Sequence, residues 1–245
     1  MLLLAMALIP ALPVATRAAD AYYLLMFGSQ RVPNNPKYSH TFATFVHASW
    51  PGPARGPARL EVFTISWMPE NGDIRPLALL PECGRNYELH ETLRHVFWNR
   101  ERVSLWGPYQ IDYELYCRAV NQVRLLESGR VRNTANDFGY PSDRVANCLH
   151  AVSSITGGER VRVLRAGWGE SASYVALREF DPWIIDCNRI HTWVGKALGM
   201  DCYPIIYRDW EDPRSAGFVR APFRAALALN RDAIPTYGQP EWREP

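Results

Sequence analysis

Apolar residues fall along the chain in runs of two kinds, and the two alternate. The stretch Tyr22-Tyr23-Leu24-Leu25-Met26-Phe27-Gly28 is continuously apolar and β-rich, and the turn-forming Pro33-Asn34-Asn35-Pro36 closes it, which predicts a first strand. Ser39 to His47 and Leu60 to Trp67 are rich in β-branched and aromatic residues and flank the Pro/Gly segment 51–57, so they predict an antiparallel pair joined by a long loop. The period then lengthens. Glu88 to Arg100 reads as a helix, and Ile111 to Glu127 as a stronger one, with Leu115, Val120, Val123 and Leu126 on one face and Ser128-Gly129 at the C-cap. A polar stretch, Asn133 to Tyr140, leads through Pro141 to a predicted helix from Ser142 to about Ile155, capped by Ser142 or Asn147 and stopped by Gly157-Gly158. Beyond it the pattern predicts a strand at Val161 to Leu164, helices at Ser171 to Phe180 and Ile190 to Leu198, a strand at Tyr203 to Tyr207, and a tail rich in Pro and Arg. With no internal repeat and no clear linker, these elements predict one α+β domain over 20–245, a small antiparallel sheet packed against helices with a C-terminal helical extension.

The first nineteen residues read as a signal peptide. Leu2 to Val14 are mostly apolar, and Ala15-Thr16-Arg17-Ala18-Ala19 offers small residues around a cleavage point, so an exported protein of the periplasm, cell envelope or extracellular space is expected. The run is too short for the roughly 20 apolar residues that span a bilayer. The formal net charge of +2 comes from interspersed signs, without a basic run or zinc-finger spacing, which argues against a nucleic-acid partner. Nine Trp, twelve Tyr and nine Phe are enough rings to fill a core and line a cleft. The ring-rich stretches Trp98 to Tyr109 and Trp168 to Trp183 are therefore candidate substrate-facing loops, with core packing the blander reading of each ring.

Five cysteines, Cys83, Cys117, Cys148, Cys187 and Cys202, leave an odd thiol in an oxidising compartment. Two disulfides among the other four with Cys148 free fit export and catalysis together; five reduced thiols are the alternative. Cys148 stands near a predicted helix start, where free N–H groups and the macrodipole favour a thiolate. A thiol nucleophile needs a base within reach. His150 is two residues on and turns to the opposite side of a helix, which also argues against a Cys-x-His metal site. On the strand beginning near residue 39, alternation puts His40, Phe42, Thr44 and Val46 on one face and Thr41, Ala43, Phe45 and His47 on the other, so His40 and His47 cannot both serve.

Asn147-Cys148-Leu149-His150 resembles the Asn-Cys-x-His signature around the nucleophile of lecithin:retinol acyltransferase-like proteins. Tyr38-Ser39-His40-Thr41-Phe42-Ala43-Thr44-Phe45-Val46 is similar to the strand that carries their catalytic histidine. Those proteins are a permuted branch of the papain-like clan that includes NlpC-type cell-wall peptidases, and histidine precedes cysteine in them, as here. The resemblance implies a circularly permuted papain-like fold, Cys148 as nucleophile, His40 as base, and neither cofactor nor metal. It implies thiol hydrolysis or acyl transfer on a peptide, another amide or a lipid ester, with a possible place in the cell envelope. The family puts a third polar residue, often histidine, on the neighbouring strand. Here one register of residues 40–48 on 60–68 brings Ser66 or Thr64 beside His40, and a one-residue slip brings Trp67 and Ile65 instead; Ser66 is taken as the third residue. An idle binding or structural protein on the same fold is the competing expectation. A redox or metal protein ranks last, without a Cys-x-x-Cys motif or clustered histidines.

Overall fold

The computed structural model describes residues 19–50, 57–137, 144–158 and 161–211, so the expected leader up to residue 18, the Pro/Gly stretch 51–56, the candidate cap Ser142 and the tail from 212 lie outside the described residues. In chain order the regular elements are strands β1 (Ala19–Gln30), β2 (Ser39–Trp50), β3 (Arg59–Ile65), β4 (Trp67–Pro69) and β5 (Glu82–Asn86), helix α1 (Leu89–Trp98), strand β6 (Arg102–Ile111) and helix α2 (Tyr113–Glu127). Then follow β7 (Arg132–Asn133), β8 (Val145–Ala146), α3 (Cys148–Ser153), α4 (Val163–Ala166), α5 (Glu170–Glu179), α6 (Thr192–Ala197) and β9 (Ile205–Arg208). The fold is mixed α+β, as expected. Among the described residues no helix is long and apolar enough to cross a membrane.

The main sheet runs β3-β2-β1-β6-β9, antiparallel except for the parallel β6/β9 pair at one edge. Its strand β1 is covered on both faces, which is why its apolar run is continuous rather than alternating. Leu24 and Met26 enter one core with α2, α3 and α5, while Tyr23, Leu25 and Phe27 enter a second with α1 and α6. Helix α1 buries Leu89, Leu93 and Val96, one stripe at helical spacing. Helix α2 is capped by Asp112, whose side chain accepts from the Leu115 N–H at 3.0 Å, and ends at Ser128 before Gly129 (φ +73°).

Three expectations need correction. The ring-rich stretch Trp98 to Tyr109 is no substrate loop: most of it is β6, beside β1, with Trp106 and Tyr109 fully buried. Gly107 and Pro108 disguise it. Leu24 pairs with Tyr109 and Met26 with Trp106, so Gly107 and Pro108 stand opposite Leu25 alone as a bulge, and Gly107 takes φ +92°. Val163–Ala166 is a short helix where a strand was expected at Val161 to Leu164. The helix expected from Ser142 starts only at Cys148, because Val145–Ala146 pairs in parallel with Arg132–Asn133.

A second sheet, β4-β5-β7-β8, is built from strands of two to five residues. The chain enters it directly from the first: β3 pairs with β2 as far as Ile65 opposite Ala43, then Ser66 breaks the ladder and β4 begins. Trp67 crosses this corner, buried against Gly84, where an added Cβ would come 2.2 Å from the indole, and its Nε1 donates to the Ala146 carbonyl at 3.2 Å. Residues 39–42 are thereby left without a β3 partner, and the candidate site forms at that opening.

Candidate active site

Helix α3 is positioned by its first two residues. Asn147 has extended backbone angles and its Oδ1 accepts from the His150 N–H at 2.7 Å, which makes it the N-cap and Cys148 the first helical residue. The Asn147 Nδ2 donates at 2.9 Å to Asp137 Oδ1, whose other oxygen accepts from the Val163 N–H at 2.5 Å. His150 turns away from Cys148 and places its Nε2 3.2 Å from Asp137 Oδ1. Burial pushes the Asp137 carboxyl upward, but His150 and the two N–H donors outweigh it and hold the group below the usual carboxylate range. One carboxylate thus ties the cap of α3 to the start of α4.

His40 lies on the open edge of β2, buried and stacked on Phe42 at 5.5 Å between ring centroids. Its Nε2 is 2.9 Å from Ser66 Oγ. Ser66 is held in turn: its N–H donates to Asn86 Oδ1 at 2.8 Å, its carbonyl accepts from the Tyr87 N–H at 2.9 Å, and its hydroxyl lies 2.8 Å from Thr92 Oγ1. Thr92 Oγ1 is also 2.9 Å from the Glu88 carbonyl oxygen. The Thr92 hydroxyl is directed at both the Ser66 hydroxyl and the Glu88 carbonyl, and Ser66 links it to His40 Nε2. The other ring nitrogen, Nδ1, is buried and has no hydrogen-bond partner among the described residues.

Cys148 is partly exposed as a residue, but its thiol is enclosed. The backbone N–H groups of Thr41, Leu149 and Cys148 itself converge on the sulfur, Thr41 reaching it across the edge that β3 abandons. Burial nevertheless dominates and pushes the thiol up to about 11, while burial, helped by nearby His95, lowers His40 to about 3. At neutral pH both are therefore uncharged, a thiol and a free imidazole rather than a thiolate–imidazolium pair.

Cys148 and His40 line the same cavity of about 30 Å³, room for roughly one water, with Trp67, Met68, Asn147 and Trp168 among its walls. Among the described residues no Asp, Glu, Lys or Arg lines it. The structure thus brings Cys148 and His40 to one cavity and joins Ser66 to His40. Thr64 bonds instead to Thr44, hydroxyl to hydroxyl at 3.0 Å. From the second ring-rich stretch, Trp168 reaches the cavity wall, but most of the segment is helix α5, with Phe180 in the core. His47 sits at the other end of β2, between Asp20 at 3.0 Å and Glu61 at 3.3 Å.

All five cysteines are free thiols, so the two expected disulfides are absent and the all-reduced alternative describes the chain. Among the described residues no group of His, Cys, Asp and Glu is placed to hold a metal ion. Thr92 and Asp137 escaped the sequence reading, since a threonine inside a helix and an aspartate in a polar stretch carry no signal of the contacts they make. Comparison of the chain with protein-family models, with curated proteins and with solved structures gives no match.

Proposed function

We propose that the protein is a cysteine-dependent hydrolase or acyltransferase of permuted papain-like design, with Cys148 as nucleophile, His40 as general base and Ser66 as the residue that orients the imidazole. The observation that carries this reading is the placement of His40: anchored through Nε2 to Ser66 and with Nδ1 buried and unpartnered among the described residues, it shares a cavity with Cys148 at the first position of α3. Because both groups are neutral at rest, the thiol gives up its proton as the sulfur attacks a carbonyl, and the imidazole receives it. The tetrahedral oxyanion is stabilised by backbone N–H groups at the start of α3, and the imidazolium then protonates the leaving amine or alcohol. Water or a second acceptor, deprotonated by the same imidazole, releases the acyl group. The leader-like first nineteen residues favour action outside the cytoplasm, on a peptide, amide or lipid ester of the cell envelope.

A second reading, an idle binding or structural protein on this fold, is favoured by two observations. The cavity holds about one water, and the thiol at about 11 facing a histidine at about 3 is a poor resting nucleophile. Incubation with a panel of p-nitrophenyl esters and peptide amides, read by intact mass and peptide mapping, separates the two. The enzyme acquires an acyl group on Cys148 that then turns over, and Cys148→Ser abolishes the adduct. Failure of every ester and amide to label Cys148 in the folded protein leaves the scaffold.

A further inference from the structure

Several polar side chains on the wall of the Cys148 cavity are already committed to other groups of the protein. Ser39 Oγ donates to the Pro36 carbonyl at 3.1 Å, and Thr41 Oγ1 lies 2.9 Å from Ser173 Oγ. Asn147 uses both ends of its carboxamide, Oδ1 on the His150 N–H and Nδ2 on Asp137. Asn133 differs. It lines the same cavity, is 2% exposed, and its Oδ1 is buried with no hydrogen-bond partner among the described residues. An acceptor left unpaired at that depth is costly, and native proteins keep few of them. The backbone also gives Asn133 little freedom. It is the second residue of β7, paired with Glu82 of β5 on one side and Ala146 of β8 on the other, and the Thr134 N–H donates to the Ala146 carbonyl at 3.1 Å. Ala146 stands two residues before Cys148, so the same pairing that delays helix α3 fixes Asn133 beside its start.

A spare acceptor beside a thiol that attacks carbonyls selects what that carbonyl carries. The carbon under attack bears an oxygen, another carbon and a leaving atom. Its oxygen is itself an acceptor and belongs with the N–H groups at the start of α3, and the neighbouring carbon offers no polar hydrogen. With room for about one water in the cavity, the leaving atom is the one left to meet Asn133. A secondary amide places an N–H there, which Oδ1 accepts. An ester places an oxygen there, whose lone pairs face those of Oδ1. Held by its own N–H, the amide nitrogen keeps its lone pair free for the proton that the His40 imidazolium returns. The C–N bond then breaks and the amine departs with both hydrogens.

We propose that Asn133 sets the substrate class, its Oδ1 accepting the N–H of the scissile bond so that the site favours secondary amides over esters. This rests on the Cys148–His40 reading given above. The test is acylation of Cys148 in the full chain by three donors of the same acetyl group, followed by intact mass: p-nitrophenyl acetate, 4-nitroacetanilide, and N-methyl-4-nitroacetanilide, which lacks the N–H. Wild type should be acylated by the ester and by the anilide. Asn133→Leu, close to asparagine in shape, should lower the ratio of the anilide rate to the ester rate by about tenfold to a hundredfold. Asn133→Ala, which only removes atoms, should lower the same ratio and carries the test if the leucine variant does not fold. The N-methyl compound should respond to either substitution as the ester does. An anilide-to-ester ratio that both substitutions leave at the wild-type value overturns the assignment and leaves Cys148 and His40 in place. So does a wild type that the ester acylates and the anilide does not. Acylation by neither donor removes the Cys148–His40 reading itself, and the role of Asn133 falls with it.

Discussion

His40 and His47 lie on one strand, seven residues apart, and have opposite chemistry. His40 is buried, bonded only to a hydroxyl, and lowered to about 3 by burial and His95. His47 is partly exposed; burial pulls it down as well, but Asp20 and Glu61 outweigh that and raise it above an ordinary histidine. Strand parity sends the two rings to opposite faces, and the neighbours on each face set the charge. The comparison teaches that a histidine kept neutral at physiological pH, and so able to accept a proton, is made here by withholding carboxylates as much as by burial.

The largest expected effect that sharpens this contrast is on acid stability. Above the unfolded histidine value of about 6.5, His40 is neutral in both states and its contribution is fully present; below it the unfolded chain binds a proton that the folded chain refuses until about pH 3. Stability should therefore fall as pH drops through that window, by on the order of 4 kcal/mol from this residue. Urea melts of wild type and His40→Gln across pH should diverge accordingly, and parallel curves would remove the buried neutral imidazole from the account.

Glu101, buried near the same end of the sheet, behaves in the opposite sense. Burial pushes it up to about 7, against the Ser29 hydroxyl donating at 2.7 Å. The folded state keeps that proton after the unfolded chain has released it, so this contribution is present at low pH and lost as pH rises through about 7. Glu101→Gln should consequently stabilise the protein at pH 8 by about 2–3 kcal/mol, measured as a shift in the chemical midpoint. Ser66→Ala removes the hydrogen-bond partner of His40 Nε2 and should cost about 1–3 kcal/mol, with the His40 ring protons shifted in NMR spectra. At the other end of the strand, Asp20→Asn should bring the His47 titration, followed by NMR, back toward the ordinary value. Stability there should change by less than about 1 kcal/mol, because solvent screens an exposed pair.

Legibility in the sequence follows the same physics. Elements with a sustained period were readable, from β1 and β2 to α1, α2 and α5, because each buries a stripe or a face of its own. β6 was hidden by the Gly107-Pro108 bulge, and the second sheet by its length, since two residues such as Arg132 and Asn133 set no period. Of the site, Cys148 and Asn147 were legible as a helix start, although Val145–Ala146 delayed that start. Ser66 was reachable through strand register, even though the ladder opens at that residue. What could not be read is the burial that sets protonation: nothing in Asn-Cys-Leu-His says that the thiol is held near 11. The contacts of Thr92 and Asp137 are equally long-range, each made to a segment ten or more residues away.

The central claim, that Cys148 and His40 act as one neutral pair, is tested most directly by the pH dependence of Cys148 acylation by p-nitrophenyl acetate, followed by mass spectrometry in wild type and His40→Gln. A neutral imidazole that takes the thiol proton during attack predicts a wild-type rate that is flat from about pH 4 to 10 and climbs only as the thiol ionises near 11. His40→Gln should lose that plateau by roughly 10²–10⁴-fold and keep only the alkaline rise. A rate that climbs in proportion to hydroxide across the whole range, identically in both proteins, would contradict the pair and leave Cys148 an isolated buried thiol.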